Sequence, residues 1–331
     1  PYWRPIPMTK MTLISLLILS LPMYARRVPR SQMTVGNPAA LTIASVDDAL
    51  PARLIAQWKA RGAARRTSHA KGVHASAIAD SVSARAFIIP AAGSLAAGGG
   101  ALFFRSDITL ANYRDTAQQV LVGFWAQGTT NPLTSATYKT VTLPPGQFVT
   151  VQDFVATALN KSGLGTLIFI PSTGTDFDAN GAIDGFSRIY TNQPGSTGSV
   201  SQPFDAVDPD TLSAQYIDEA VALGLRQDAN FRTNFGIVNV DAADHIFKVS
   251  FIGEKLQTTL TVTVKAYGMT QQSIPAGDYG AVSILFQVTD AGTNFVSWVG
   301  YASSTDNITG DGWVSLASAD MAPSDLDLIG Y

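Results

Sequence analysis

From Phe87 onward, apolar residues come in short runs separated by clusters of Gly, Pro, Asn, Asp, Ser and Thr. Runs of this kind are Val120–Ala126, Tyr138–Leu143, Gly165–Pro171, Phe247–Gly253, Thr258–Val264 and Ala281–Val288. Each has strand length and turn formers at its ends, which predicts an all-β sandwich. In Thr259-Leu260-Thr261-Val262-Thr263-Val264 the apolar side chains fall on every second position and therefore on one face. The texture before Phe87 is different. Leu50, Leu54, Ile55 and Trp58 share one face of a helix, with Asp47 and Asp48 where caps belong. Two further helical pieces are predicted, one turn at Asp153–Asn160 and a short helix at Leu212–Leu223.

The β-rich part is written twice. Phe104-Arg105-Ser106-Asp107 with Asn112 returns as Phe231-Arg232-Thr233-Asn234 with Asn239. Val120-Leu-Val-Gly-Phe-Trp-Ala then matches Phe247-Lys-Val-Ser-Phe-Ile-Gly at the same offset. Gly165-Thr-Leu-Ile-Phe-Ile pairs with Ala281-Val-Ser-Ile-Leu-Phe, and Phe186-Ser-Arg-Ile-Tyr with Val299-Gly-Tyr-Ala-Ser. A repeat of this length predicts two sandwiches in tandem.

These motifs, with Leu143-Pro-Pro-Gly and Tyr301-Ala-Ser-Ser-Thr-Asp306-Asn307-Ile-Thr309-Gly-Asp311, form a recurrent series. It resembles a group of uncharacterised secreted bacterial proteins with tandem immunoglobulin-like β-sandwich domains. The resemblance spans Phe87 to Leu316 and implies an extracellular pair of sandwiches, with no catalytic residues attached to it. The expected organisation is upstream residues plus a signal peptide at 1–25 and a basic linker with a short helix at 26–86. The first β-sandwich follows at 87–204, a partly helical connector at 205–229, the second β-sandwich at 230–317 and an acidic tail at 318–331.

The leader is read from Met8, Lys10 and the apolar stretch Met11–Leu21, followed by Pro22-Met23-Tyr24-Ala25. That stretch is too short to span a bilayer and has the flanks of a secretion signal. A mature chain beginning near Arg26, secreted or at the cell surface and without a transmembrane span, is the expectation. The sequence has no Cys, which excludes disulfides, thiolate metal sites and Cys nucleophiles. With 3 His, a histidine metal cluster has little to build from. Charge is low at 14% and uneven, +7 over residues 26–86 and −12 from Phe87 on. The basic segment lacks interleaved aromatics, so it reads as a linker or a tether to an acidic surface, the acidic body of the chain included, and nucleic acid is not expected as a partner.

The sharpest chemical pattern is Asp176-Phe-Asp178-Ala-Asn180-Gly181-Ala182-Ile-Asp184. Side-chain oxygens at alternate positions, a Gly at the turn and the Ala182 carbonyl are what wraps a calcium ion. The candidate ligands are therefore Asp176, Asp178, Asn180, Ala182 and Asp184, with Ca2+ as the candidate cofactor. Ser187 stands where an EF-hand places its bidentate Glu, and an acidic turn is the competing account. Asp306, Asn307, Thr309 and Asp311 read as an Asx-stabilised turn. Arg105 and Asp107 share a strand face and form a candidate pair, while in the second copy Asn234 could only accept a hydrogen bond from Arg232. His245 stands outside the linker but without a Gly-x-Ser-x-Gly elbow. Trp125, Trp298 and Trp313 read as core or interface residues before sugar platforms. Together these features predict a non-enzymatic extracellular β-sandwich module for binding, adhesion or structure. Its expected partner is a protein or a glycan, with self-association through strand edges as a third use. A glycan-active hydrolase working through loop Asp residues, or its accessory module, is the alternative.

Overall fold

Alternation of apolar and polar positions produces strands wherever the sequence carries it, and the computed structural model is predominantly β. It describes residues 27–70, 86–97, 100, 102–129, 132–193, 197–209, 219–291 and 296–318. The leader at 1–25, residues 71–85 of the linker, 212–218 of the expected connecting helix and the tail from 319 lie outside the described residues.

Two short strands, β1 (Thr34–Val35) and β2 (Thr42–Ser45), precede helix α1 (Ala49–Ala70). The first half continues with β3 (Phe87–Ala97), β4 (Leu102–Asn112), β5 (Gln118–Ala126), α2 (Pro132–Ser135), β6 (Thr137–Leu143), β7 (Gln147–Val151), α3 (Phe154–Thr157), β8 (Gly163–Ser172), β9 (Ile183–Asn192) and β10 (Ser199–Asp205). The second half holds β11 (Glu219–Gln227), β12 (Phe231–Asn239), β13 (His245–Gly253), β14 (Gln257–Val264), β15 (Met269–Ser273), β16 (Gly280–Val288), β17 (Trp298–Asp306) and β18 (Gly312–Leu316).

The second half is two four-stranded sheets, β11-β16-β13-β14 and β15-β12-β17-β18. The first half repeats both orders, as β3-β8-β5-β6 and β7-β4-β9-β10. Here the two layers are joined because β3 bends at a bulge between Ile89 and Ala92, next to Pro90, and then pairs with β4 as well as β8. Phe87, Val122 and Phe169 of one layer share an apolar cluster with Ile108, Leu110 and Ile183 of the other. Every repeated motif lies on equivalent strands, β4 with β12, β5 with β13, β8 with β16 and β9 with β17.

The repeated Asn explains itself in this frame. Asn112 is fully buried, and its Nδ2 donates to the carbonyls of Thr116, Leu143 and Pro144 while its Oδ1 accepts from Arg114 N–H. Asn239 does the same with Ala243, Val264, Lys265 and Asp241 N–H. One amide thus ties a loop to the end of a facing strand by satisfying carbonyls of both.

The segment expected as a linker is part of the first half instead. β1 pairs parallel with β7, and β2 pairs antiparallel with β6. The Asp47 carboxylate accepts from Ala49 N–H at the start of α1. Leu54, Ile55 and Trp58 are then buried in the first-half core, each contributing about 2 kcal/mol by area. The backbone stays helical through Ala70, longer than the short helix expected, and Ala-Ala-Arg-Arg after Gly62 are good helix formers. The expected connecting helix is corrected too, since residues 219–223 begin strand β11, which starts the second half earlier than 230. The single turn near Asp153 is found as α3. Among the described residues no helix is long and apolar enough to cross a membrane.

Candidate functional site

Strand β17 is buried along nearly its whole length. Trp298 and Ala302 point into the second-half core, while Val299 and Tyr301 on the other face join the core of the first half. Val238 and Val240 beside them also face the first half. The β15-β12-β17-β18 sheet is therefore covered on both sides. Tyr301 needs the space over Gly236, its cross-strand neighbour, where a Cβ would collide with the ring. Its phenol is pushed above the ordinary range by complete burial and donates to Gln271 Oε1 at 2.9 Å. Trp125 meets Tyr267 edge to face at 5.6 Å, and Phe204 meets Tyr301 at 5.4 Å, both across the junction. Trp125 thus serves the interface, Trp298 the core, and Trp313 packs on Phe231.

Beside this apolar junction a cavity of about 560 Å³ opens between the halves. Leu95, Leu102, Phe104, Ile189 and Val200 of the first half form a mainly apolar wall, edged by the polar Thr191, Gln193, Ser201 and Gln202. Arg232, Asn234, Gln271, Thr305 and Asn307 of the second half form a polar wall opposite. The polar groups are positioned by their own partners: Arg232 donates to Asn307 Oδ1 at 2.8 Å, and Asn234 Oδ1 accepts from Ser273 at 2.9 Å. Gln202 spans the junction to Thr305 at 3.2 Å, and Gln193 to the Thr309 carbonyl at 3.1 Å. At the lip Ile308 is 81% exposed, an apolar side chain held out in solvent. The described lining residues offer hydroxyls, amides and one guanidinium, with no carboxylate or imidazole among them. Hydroxyls, amides and a guanidinium are groups that hydrogen-bond and orient a polar ligand.

The acidic loop between β8 and β9 does not converge. Asp178 is nearly buried and its carboxylate meets the Arg114 guanidinium at 2.5 Å, with Gln118 Nε2 at 3.3 Å and Asn180 N–H at 2.9 Å. Asp176 accepts from Gln57 of α1 at 2.9 Å and from Thr175, and these donors hold its carboxyl below the usual range. Asp184 accepts from Gly185 N–H and, at 3.4 Å, from the Tyr113 hydroxyl. The Ala182 carbonyl is taken by Tyr113 N–H. Gly181 has a packing reason of its own, since a Cβ there would run into Pro171. As folded, the five candidate ligands are turned to separate partners, and the Arg114 guanidinium sits against Asp178. Among the described residues no group of three or more His, Asp or Glu gathers for a metal. Instead the loop seats the basic helix, through Gln57 to Asp176 and Phe177 and through Arg61 over the Phe177 ring at 5.6 Å.

The remaining candidates divide the same way. Arg105 and Asp107 do not pair with each other; Arg105 faces Asp153 at 3.7 Å and Asp107 faces Arg188 at 4.0 Å. Asp107 also accepts from the N–H of Asp153, whose backbone is left-handed at φ 45°. Asp306 accepts from Ile308 and Thr309 N–H as an Asx turn does, which lowers its pKa. The Nδ1 of the nearly buried His245 meets Asp290 at 3.2 Å, while its Nε2 lies 3.7 Å from Asp241 without a hydrogen bond.

Sequence reasoning missed the cleft. Its residues come from eight strands of two halves, and no local spacing marks them. The one available signal was β17 itself, whose Val-Gly-Tyr-Ala run is apolar on both faces rather than alternating.

No protein-family model matches this chain, and no curated protein matches it. A solved structure titled "Crystal Structure of Thermotoga maritima 1070" is similar over 31% of this chain and 95% of its own, at 10% identity and a TM-score of 0.27. That likeness is too slight to carry an argument.

Proposed function

We propose that this is a secreted, non-catalytic module of two tandem immunoglobulin-like β-sandwiches that holds a saccharide in the cleft between them. The observation that carries the reading is the pairing of unlike walls. A sugar ring has an apolar C–H face and a rim of hydroxyls. Phe104, Leu102 and Ile189 suit the face, and Asn234, Gln271, Thr305 and Arg232 suit the rim. The matched strand orders support the tandem arrangement, and the Met8–Ala25 pattern supports export.

A glycan array probed with the purified chain, followed by calorimetric titration of any sugar retained, tests the proposal. Phe104→Ala and Asn234→Ala should each weaken binding by about tenfold, or 1.4 kcal/mol, without lowering the melting temperature. Absence of glycan binding, binding indifferent to both substitutions, or turnover of the bound glycan would each refute it.

A further inference from the structure

The two halves share a fold but differ in what covers their edges. In the first half β6 receives β2 along its outer side, with Thr42 opposite Thr142 and Ala44 opposite Thr140. The equivalent strand of the second half is β14. The receiving stretch Thr140-Val141-Thr142-Leu143 is matched there by Thr261-Val262-Thr263-Val264. Among the described residues nothing pairs with the outer side of β14. The hairpin bond from Gly253 N–H to the Leu256 carbonyl sets the ladder's phase. Counted in twos from it, Thr258, Leu260 and Val262 bond to β13, and the backbone groups of Gln257, Thr259, Thr261 and Thr263 point outward.

Other edges of this half are protected in the usual ways. β11 carries Glu219 and Arg226 and a bulge at Leu223-Gly224, while β15 and β18 have five residues each. β14 has none of these devices: eight residues in unbroken register with β13, no charge and no proline.

We infer that β14 is a homodimerisation edge, pairing antiparallel with β14 of a second copy and merging their β11-β16-β13-β14 sheets. The sequence is self-complementary when Thr261 lies on the two-fold axis. Thr259 of one copy then stands opposite Thr263 of the other, and Gln257 opposite Lys265, so no like charges meet. On the inner face the half-buried Leu260 comes opposite Val262, extending the apolar layer across the axis. Lys255 and Lys265 at the strand ends are already neutralised by Asp278 and Asp244, at 2.8 and 2.7 Å. A second copy is favoured over exchange of β2 between copies, because exchange would leave one β6 bare for every β14 it covered.

Sedimentation velocity of the full chain over a range of concentrations tests the inference. The wild-type chain should shift reversibly from monomer to twice the monomer mass. Thr261→Pro removes an outward N–H that β13 does not use, and Thr261→Lys sets two ammonium groups together on the axis. Both should raise the dimer dissociation constant by at least about tenfold while far-UV circular dichroism and melting stay as in wild type. If Thr261→Pro fails to fold, Thr261→Lys carries the comparison. A wild-type chain that stays monomeric throughout, whichever other strand the edge then accepts, overturns the inference. So does a dimer that Thr261→Lys leaves at wild-type strength.

Discussion

Replacing Asn239 by alanine should be among the most damaging changes of its size in the second half. The side chain is fully buried and makes four hydrogen bonds: three from its amide nitrogen to the carbonyls of Ala243, Val264 and Lys265, and one accepted from Asp241 N–H. Alanine leaves three acceptors and a donor without that partner. At about 1 kcal/mol net per bond the loss is about 3–4 kcal/mol. For a protein of this size each kcal/mol lowers the melting temperature by about 2–4 °C, so a drop of roughly 6–16 °C is expected. Asn239→Asp should be worse, because it keeps the volume but turns a donor into a charged acceptor facing three carbonyl oxygens. The first half supplies an internal control, since Asn112 makes the same four bonds and Asn112→Ala should cost as much. Urea unfolding followed by tryptophan fluorescence measures both, with the denaturant slope checked for constancy. An Asn239→Ala chain within about 1 kcal/mol of wild type would refute the reasoning that this amide ties the loop to the strand end.

Melting curves in calcium and in chelator should coincide, because Arg114 already neutralises Asp178; a rise in calcium that Asp178→Ala removes would instead show that the ion displaces the guanidinium. Alkaline pH should destabilise the fold through Tyr138, whose phenol burial pushes up to about 12 while it accepts from the Trp125 indole. Because the folded value lies above the unfolded one, this stability is whole below pH about 10 and is lost as pH rises towards about 12. Tyr138→Phe should flatten that alkaline fall measured by thermal melting, and an equally steep fall in the variant would contradict the assignment.

Where local sequence fixes local structure, the fold was legible before any coordinates. Strand alternation, the Arg-to-Asn spacing of the repeat, the buried face of Leu50, Leu54, Ile55 and Trp58, and the turn at Asp306 all follow from nearest-neighbour geometry. What the sequence did not show shares a cause. Asp176, Asp178 and Asp184 read as a cage because their spacing suits one, yet Arg114 and Gln57, far away in sequence, supply the donors that hold them. The basic segment read as a linker because two- and four-residue strands have no pattern long enough to show, and their identity comes from the edges they meet. The cleft was invisible for the same reason: Phe104 and Asn234 acquire a common site only when the halves dock.

That docking also fixes what kind of site the cleft is. Two sandwiches joined by a loose connector would each alternate apolar and polar along their outer strands, as β14 does, and the walls between them would slide. β17 does not alternate: Trp298 and Ala302 enter one core, and Val299 and Tyr301 the other. To move one wall relative to the other, the molecule would have to expose Tyr301, Val238 and Val299 and part the Trp125–Tyr267 and Phe204–Tyr301 contacts. Large aromatic side chains pulled from a packed interface cost several kcal/mol, far above thermal energy. The apolar and polar walls are therefore held at a set separation before any ligand arrives. If the proposed saccharide binds there, its affinity will depend on how well its apolar face and hydroxyl rim fit that separation, and not on closure around it.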